Sequence, residues 1–464
     1  MNSERRLVPK SPRLIEATAL TMTAVIVMLG FLSVAAATQL RLGNNPVAAL
    51  PGALGPSFLI TILLIGFHLF LRFLRMRSEQ IIWPTVSLLF VIGAIMIWRL
   101  RGSEIVYQQI LRGLLPGIIL AGLLVAKPGL IEAIRRRAPL IGLVGLLLPI
   151  ITSLFGTIDE TGARLALKLG PLPAIQTSEM IKLAMIIFLA WYVEEQGRAA
   201  EGRAQPFLGW LRIPALQYFI PGVLFVSVAS LALVRMSDYG AVLILGFIFI
   251  AMLFAGFETR IFFSVTAIGL VLAILMGLIL SITWEIPTVI QYRFMAFLNP
   301  WSRDTIIING QSSDVTISEG PGYQIQQSIY AVISGGITGR GLGFGSPDYV
   351  PLAHSDFIFA AVIEELGSII GLAVLFLFAV LLIRIFRGVI LLPAGQIFER
   401  LLIVGIGAHL FTQIFVMAGG TLNLFPVTGV TIPFLSQGGV ALLVNLVEVG
   451  MVLAILRRME GSNG

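Results

Sequence analysis

The sequence predicts an all-α, polytopic integral membrane protein of about twelve transmembrane helices, and three observations carry that prediction. Residues of the AVILMFWYC set make up 57% of the 464 residues and charged residues only 12%, about half the ~25% of an average soluble domain. The apolar residues fall in runs close to the roughly 20 residues that a spanning helix needs, and mean hydropathy is +0.96. Lys and Arg crowd alternate connections, as the positive-inside rule requires. The net charge of +7 therefore reads as membrane topology and implies no nucleic acid.

In order, the runs lie at 15–39, 57–76, 81–98, 111–126, 138–156, 178–195, 214–234, 239–257, 261–283, 357–383, 401–419 and 438–456. The first is followed by Ala35-Ala36-Ala37, which imitates a signal-peptidase site. It is longer than the 7–15 residues of a signal-peptide core, so an uncleaved helix is expected. The fourth is short and holds Pro116, while Arg235 and Asp238 divide 214–257 into two helices. With the N-terminus inside, 20 of the 31 basic residues fall in inside segments. Both termini are thereby placed in the cytoplasm, and 457–464 becomes a cytoplasmic tail. The segment 284–356 is one large extracytoplasmic loop. Loops of more than about 12–15 residues are commonly functional or disordered, and here 303–319 is expected to be mobile and 321–356 ordered. No internal repeat stands out, so the inverted-repeat signature of many transporters gains no support.

The absence of Cys and the presence of only His68, His354 and His409 exclude thiolate chemistry, Cys-ligated metals and a His-rich cage. Chemistry must come from carboxylates and cations. An ionisable residue within a span marks a site, a pathway or an ion pair. Glu179 and Lys182, at spacing i, i+3, share a helix face, and they read equally as a structural ion pair beneath a Ser178 cap or as part of a site. Arg164 and Lys168 lie just upstream. Arg235 and Asp238 read equally as a tight turn with Gly240. Asp356 opens an apolar run and by itself reads as a helix N-cap, with Ser355 as a competitor. Glu364 and Glu365 follow at depth and need partners. For His409 and Glu448 a satisfied core role is the expectation. The run from Gly335 to Gly345 contains Arg340 but lacks the Gly-Lys-Ser/Thr of a nucleotide loop. It is left as a flexible loop near a diphosphate.

Taken in order, Gly162-Ala163-Arg164, Gln176-Thr177-Ser178-Glu179 with Lys182, and Asp238-Tyr239-Gly240 resemble the spaced motifs of the SEDS family of shape, elongation, division and sporulation proteins. Gly322-Tyr323-Gln324, Ser334-Gly335-Gly336 with Gly339-Arg340-Gly341, and His354-Ser355-Asp356-Phe357 with Glu364-Glu365-Leu366-Gly367 are similar to its extracytoplasmic signature. Phe425-Pro426-Val427-Thr428-Gly429 through Ser436-Gln437-Gly438-Gly439 resembles its C-terminal signature. The chain departs from the family at Thr177, Tyr239, Ser355 and Gln437, where Pro, Leu, Thr and Tyr are usual.

The resemblance covers about 138–456 and implies a core of ten spans, so 1–137 would hold an extra N-terminal pair. It implies a peptidoglycan glycosyltransferase that polymerises lipid II at the outer face of the cytoplasmic membrane, for elongation or division. Asp356 would be the general base. Arg164, Lys182, Arg293 and Arg340 would neutralise the leaving diphosphate, Glu179 and Asp238 would hold the cations and the cavity, and His354 would position the base. It further implies Mg²⁺ or Mn²⁺ bound with the diphosphate, no organic cofactor, no dedicated protein metal site, and a class B penicillin-binding protein as partner. A lipid II flippase and a non-catalytic scaffold are the alternatives. A polymerase should depend on Asp356, a flippase on Glu179, Lys182 and Arg164, and a scaffold on neither set.

Overall fold

The structure, a computed structural model, describes residues 13–77, 79–157, 166–167, 175–207, 209–283, 288–308 and 311–462. Its helices follow the apolar runs. They are α1 (Leu14–Arg41), α2 (Leu50–Phe73), α3 (Ile82–Arg101), α4 (Ser103–Gln109), α5 (Leu115–Ala126), α6 (Gly129–Phe155), α7 (Thr177–Gly202), α8 (Ile220–Arg235) and α9 (Tyr239–Gly256). Then come α10 (Thr259–Thr283), α11 (Thr288–Leu298), α12 (Pro321–Gly335), α13 (Ile358–Leu391), α14 (Ile397–Thr421) and α15 (Gly439–Ser462). Each of the twelve expected segments is helical, and α4 and α5 join through one wider π turn at Ile110–Leu114. Among the described residues nine helices are long and apolar enough to cross a membrane. Of the remaining three, α8 is a shorter apolar helix, only Thr259–Leu272 of α10 counts as one, and α7 carries Glu179, Lys182, Glu194 and Glu195.

Among the described residues sheet is confined to three small antiparallel pairs: β1 (Ala166–Leu167) with β2 (Ile175–Gln176), β3 (Gln205–Phe207) with β4 (Leu211–Ile213), and β5 (Thr305–Ile308) with β6 (Gln311–Thr316). The last pair corrects one expectation. The segment 303–319, expected to be mobile, forms a hairpin whose Ile306 packs with Ile317, Ala296 and Ile325 in a small core of its own. Ile306 and Ile317 there meet Ala296 of α11 and Ile325 of α12, two helices that the long-loop reading left undivided.

The glycine run is corrected as well. Its backbone amides are already engaged: Arg340 N donates to the Glu364 carbonyl at 2.9 Å and Gly341 N to the Glu365 carbonyl at 3.0 Å. It packs on a kink in α13 at Gly367 (φ 87°, ψ 164°), where a Cβ on Gly339 would lie 2.3 Å from the Glu365 carbonyl oxygen and one on Gly367 2.3 Å from that of Ile337. Two backbones cross where only glycine fits, so the run is a packing device. Glu364 and Glu365 find the partners that burial demands: Ser346 N donates to Glu364 Oε1 and Gly343 N to Glu365 Oε2, both at 2.8 Å, and Arg99 Nε pairs with Glu365 Oε1 at 3.0 Å. His409 Nδ1 meets Glu448 Oε1 at 2.8 Å between α14 and α15, both fully buried, but among the described residues His409 Nε2 and Glu448 Oε2 have no hydrogen-bond partner, so the expected core pair is only half satisfied.

Candidate functional site

Asp356 lies on the loop that enters α13, and it does not cap that helix. The N-cap position is Phe357, with no side-chain cap, so its carboxylate is not spent on helix amides. The reason is the tight turn before it, where Ser355 N and Phe357 N both donate to the Leu352 carbonyl and Leu352 itself sits at φ 56°. Asp356 instead lines a narrow cleft with Met417, Gly420, Thr428 and Gly429. Gly429 has φ +74°, and a Cβ there would come 3.6 Å from Asp356 Oδ2, so the chain passes directly beside the carboxylate.

The loop between α14 and α15 is sewn onto this turn. Ser436 Oγ donates to the Ser355 carbonyl at 2.7 Å, and Gln437 N donates to the His354 carbonyl at 2.9 Å. Gln109, at the end of α4, acts as a surrogate peptide unit: its Nε2 donates to the Ser436 carbonyl at 3.1 Å and its Oε1 accepts from Gly438 N at 3.0 Å. Satisfying backbone groups this way fixes an otherwise irregular loop.

A second helix end arrives through Gly240, where a Cβ would meet the Thr428 carbonyl oxygen at 2.7 Å. This brings Asp238 close enough to Asp356 for their charges to repel. Asp238 caps α9 by accepting from Ala241 N at 3.0 Å, so it has a turn role, and it also accepts from the Ser178 hydroxyl. Ser178 therefore serves Asp238, and the N-cap of α7 is Gln176. One turn on, Lys182 Nζ pairs with Glu179 at 2.7 Å, both buried. Arg293 of α11 reaches in from the other side, its guanidinium 3.5 Å from the Val427 carbonyl. Four distant stretches of sequence, carrying Glu179 and Lys182, Asp238, Arg293 and Asp356, thus meet in one place.

Electrostatics there are unequal. Burial pushes the Asp356 carboxyl up to about 6, a rise that the Asp238 charge assists and that the Ser355 hydroxyl and Arg293 oppose. Burial also raises Asp238, against the Ala241 amide, Lys182 and Ser178. His354 is pushed down to about 4 by burial and by Arg101. A neutral ring follows, whose Nε2 accepts from Arg101 Nη2 at 3.1 Å. A carboxylate poised near neutrality beside a fixed cation can accept a proton and release it again.

Arg340 is not part of this cluster. It is exposed, and its Nε donates to the Ser334 carbonyl beside the kink of α13. Arg164 lies outside the described residues, as does Lys168. Arg101 and Gln109 were not singled out from sequence. For Arg101 a signal existed, two arginines ending the apolar run of α3 at the cation-poor face; for Gln109 there was none. Among the described residues no group of three or more His, Asp or Glu could hold a metal.

The sequence model of the FtsW/RodA/SpoVE family, described as cell cycle proteins, matches residues 76–461. The peptidoglycan glycosyltransferase RodA of Mycobacterium tuberculosis is 30% identical over 404 residues, 85% of this chain and 80% of that one. Stage V sporulation protein E of Bacillus subtilis is 37% identical over 287 residues, 61% and 69% of the two chains. Among solved structures, a chain of a peptidoglycan synthase complex that coordinates polymerization and crosslinking superposes with a TM-score of 0.63 at 24% identity, covering 81% of this chain and 96% of that one. RodA of Thermus thermophilus does so at 0.53 and 23%, covering 80% and 94%; both likenesses establish a shared fold. This multi-pass membrane protein belongs to the FtsW/RodA/SpoVE family of cell cycle proteins.

Proposed function

We propose that this protein is a peptidoglycan glycosyltransferase that joins lipid II units into glycan strands, with Asp356 as its general base. The single observation that carries the reading is an uncapped carboxylate, raised to about 6, held where the α13 entry, the α9 N-terminus and the 425–438 loop converge. The names of the relatives, peptidoglycan glycosyltransferase RodA and probable peptidoglycan glycosyltransferase FtsW, support it.

In the reaction the C4 hydroxyl of the acceptor sugar attacks C1 of the donor, and the bond from C1 to the undecaprenyl diphosphate breaks with inversion. Asp356 takes the hydroxyl proton, a contribution typically worth about 10²- to 10⁴-fold. Arg293 is the cation beside that carboxylate, and Lys182 and Arg164 are further candidates to stabilise the diphosphate as it departs. Glu179 holds Lys182 in place through their 2.7 Å ion pair, and neutral His354 fixes the turn that carries the base. Mg²⁺ or Mn²⁺ accompanying the substrate would supply further charge neutralisation. The donor set fits an ion held mainly by diphosphate oxygens, because among the described residues the carboxylates here are Asp356, Asp238 and Glu179, of which Asp238 is engaged by Ala241 and Ser178 and Glu179 by Lys182. The active face is the outer one and both termini are cytoplasmic. A class B penicillin-binding protein crosslinks the product, a pairing supported by the likeness to a chain of a synthase complex.

The deciding experiment is glycan-chain formation by the purified protein from lipid II with Mg²⁺ or Mn²⁺, with and without that partner. Wild type should make polymer, and Asp356→Asn should not. Equal polymer from both would remove Asp356 as the base, and silence from wild type even with its partner would send the same vesicles to a lipid II translocation assay.

A further inference from the structure

The family match begins at residue 76, just past α2, so α1 and α2 lie outside it. Yet α1 touches the loop that leads to Asp356. That loop, 341–349, is held on one side by α13, through Gly343 N on Glu365 and Ser346 N on Glu364. On a second side Arg99, ending α3, donates Nη2 to the Gly345 carbonyl at 3.3 Å and pairs with Asp348 at 3.1 Å. The third side is α1: Arg41 in its last turn donates Nη2 to the same Gly345 carbonyl. Gly343, at φ +84°, presses so close to α1 that a Cβ on it would stand 2.5 Å from the Ala37 Cβ. From there the chain makes one 3-10 turn, Pro347–Tyr349, before the turn that presents Asp356.

The remainder of α1 is not free to follow the loop. Phe31 stacks on Trp98 of α3 with centroids 4.7 Å apart. At the opposite end Glu16 is fully buried, bonded to Arg13 and, at 2.7 Å, to His68 of α2, while Arg13 Nη1 donates to the Met76 carbonyl at 2.8 Å. A helix anchored at both ends and stacked along α3 is a rigid post, and α3 also carries the Arg101 that contacts His354.

We propose that α1 is a clamp on the catalytic loop, supplied by the chain itself, and that Arg41 is a positioning residue acting through Gly345 on the placement of Asp356. Arg41 touches no reacting atom. Without it the Gly345 carbonyl keeps only Arg99, whose guanidinium also serves Glu365 and Asp348, so the loop has one fixed point fewer. Small misplacements of a catalytic group are expensive, up to about 10²-fold for an ångström.

The kinetic part of the test rests on the polymerase reading and the exchange part does not. Full-length wild type, Arg41→Ala and Arg41→Lys are compared by lipid II polymerisation and by hydrogen exchange resolved over 341–357. Arg41→Ala should lower kcat about 3- to 10-fold with KM within about twofold, and should speed exchange in 341–349 while α3 and α14 keep wild-type protection. Arg41→Lys, which can still donate to the carbonyl, should recover at least about half of kcat. Unchanged exchange in 341–349, or a rise spread evenly over all helices, would overturn the clamp, as would a lysine variant no better than alanine. If wild type made no polymer the function reading would fail, and the exchange pattern alone would still decide the clamp.

Discussion

Two groups of acidic residues flank the start of α13, and they have opposite fates. Glu364 and Glu365 are buried with amide partners at 2.8 Å, and Glu365 adds an arginine at 3.0 Å. Asp356 has a serine hydroxyl, a cation at Coulomb range and a like charge nearby, and it sits well above its usual range. In sequence Glu364 and Glu365 read as costly carboxylates that need partners, and Asp356 by itself as a helix N-cap. The structure separates them by what each is bonded to: saturated carboxylates hold a kinked helix and a glycine loop together, whereas the under-satisfied one retains the capacity to take a proton.

Neutralising one carboxylate of each kind should have opposite effects. Asp356→Asn should cost about 10²- to 10⁴-fold in polymerisation and leave the fold intact. Above pH 6 it should even stabilise. The folded carboxyl binds its proton more tightly than the unfolded one at 3.8, so stability falls as pH rises from about 4 to about 6 and the deficit is complete above that. Asparagine removes the deficit, by about 1–3 kcal/mol at 1.36 kcal/mol per unit, which thermal melts at pH 7.5 and pH 4 would resolve. A melting temperature lowered at pH 7.5 would sink this view of Asp356.

Glu365→Ala should do the reverse. It takes from Arg99 the buried one of its two carboxylates, Asp348 remaining at 3.1 Å, and it frees Gly343 N, a loss of hydrogen bonds to a charged group that costs about 1.5–3 kcal/mol. Melting and detergent stability should drop sharply, and the activity lost should be recovered in proportion to the folded fraction. A stable Glu365→Ala protein with no turnover would place Glu365 in the chemistry and erase the distinction.

How much of this was legible beforehand depends on the range of the interaction. The helices were legible because 20-residue apolar runs are local, and so was the choice of Asp356, Asp238, Glu179 and Lys182 as charges needing an explanation. Their meeting was not, because it depends on Gly240 letting α9 approach Thr428 and on Gly429 passing beside Asp356. The hairpin at 305–316 was hidden by polar residues that resemble a linker until α11 and α12 supply their apolar faces. Arg340 went the other way: its motif is near Asp356 in the sequence pattern, yet the Gly335–Gly345 run turns back onto the kink at Gly367.

The dependence of turnover on pH should be a smaller effect. Polymerisation should rise about tenfold per unit up to an inflection near 6, the value for Asp356, and flatten above it. A histidine with its ordinary titration would inflect in nearly the same place, so the assignment needs His354→Asn. His354 lies near 4 and is neutral throughout this range; the variant should therefore keep the inflection, with only a uniform loss from a looser turn. Disappearance of the acid limb in His354→Asn would transfer the base role to the histidine.

A smaller shift still should come from Asp238, a charge that pushes Asp356 upward from outside its own loop. Asp238 raises Asp356 by repulsion while capping α9 through Ala241. Asparagine is as good an N-cap as aspartate and can still accept from Ala241 N and from Ser178, so Asp238→Asn deletes the charge and keeps the contacts. With the repulsion gone, ionised Asp356 is less disfavoured, and the acid limb should move to lower pH, by less than about one unit for a single partly screened pair. Ser178→Ala should move it the same way by less: losing the hydroxyl donor raises Asp238, and a more protonated Asp238 repels Asp356 more weakly. A limb that shifts upward in both variants would mean that Asp238 holds Asp356 in its charged form. The two carboxylates would then have to share a cation, and that sharing, rather than burial, would be what tunes the base.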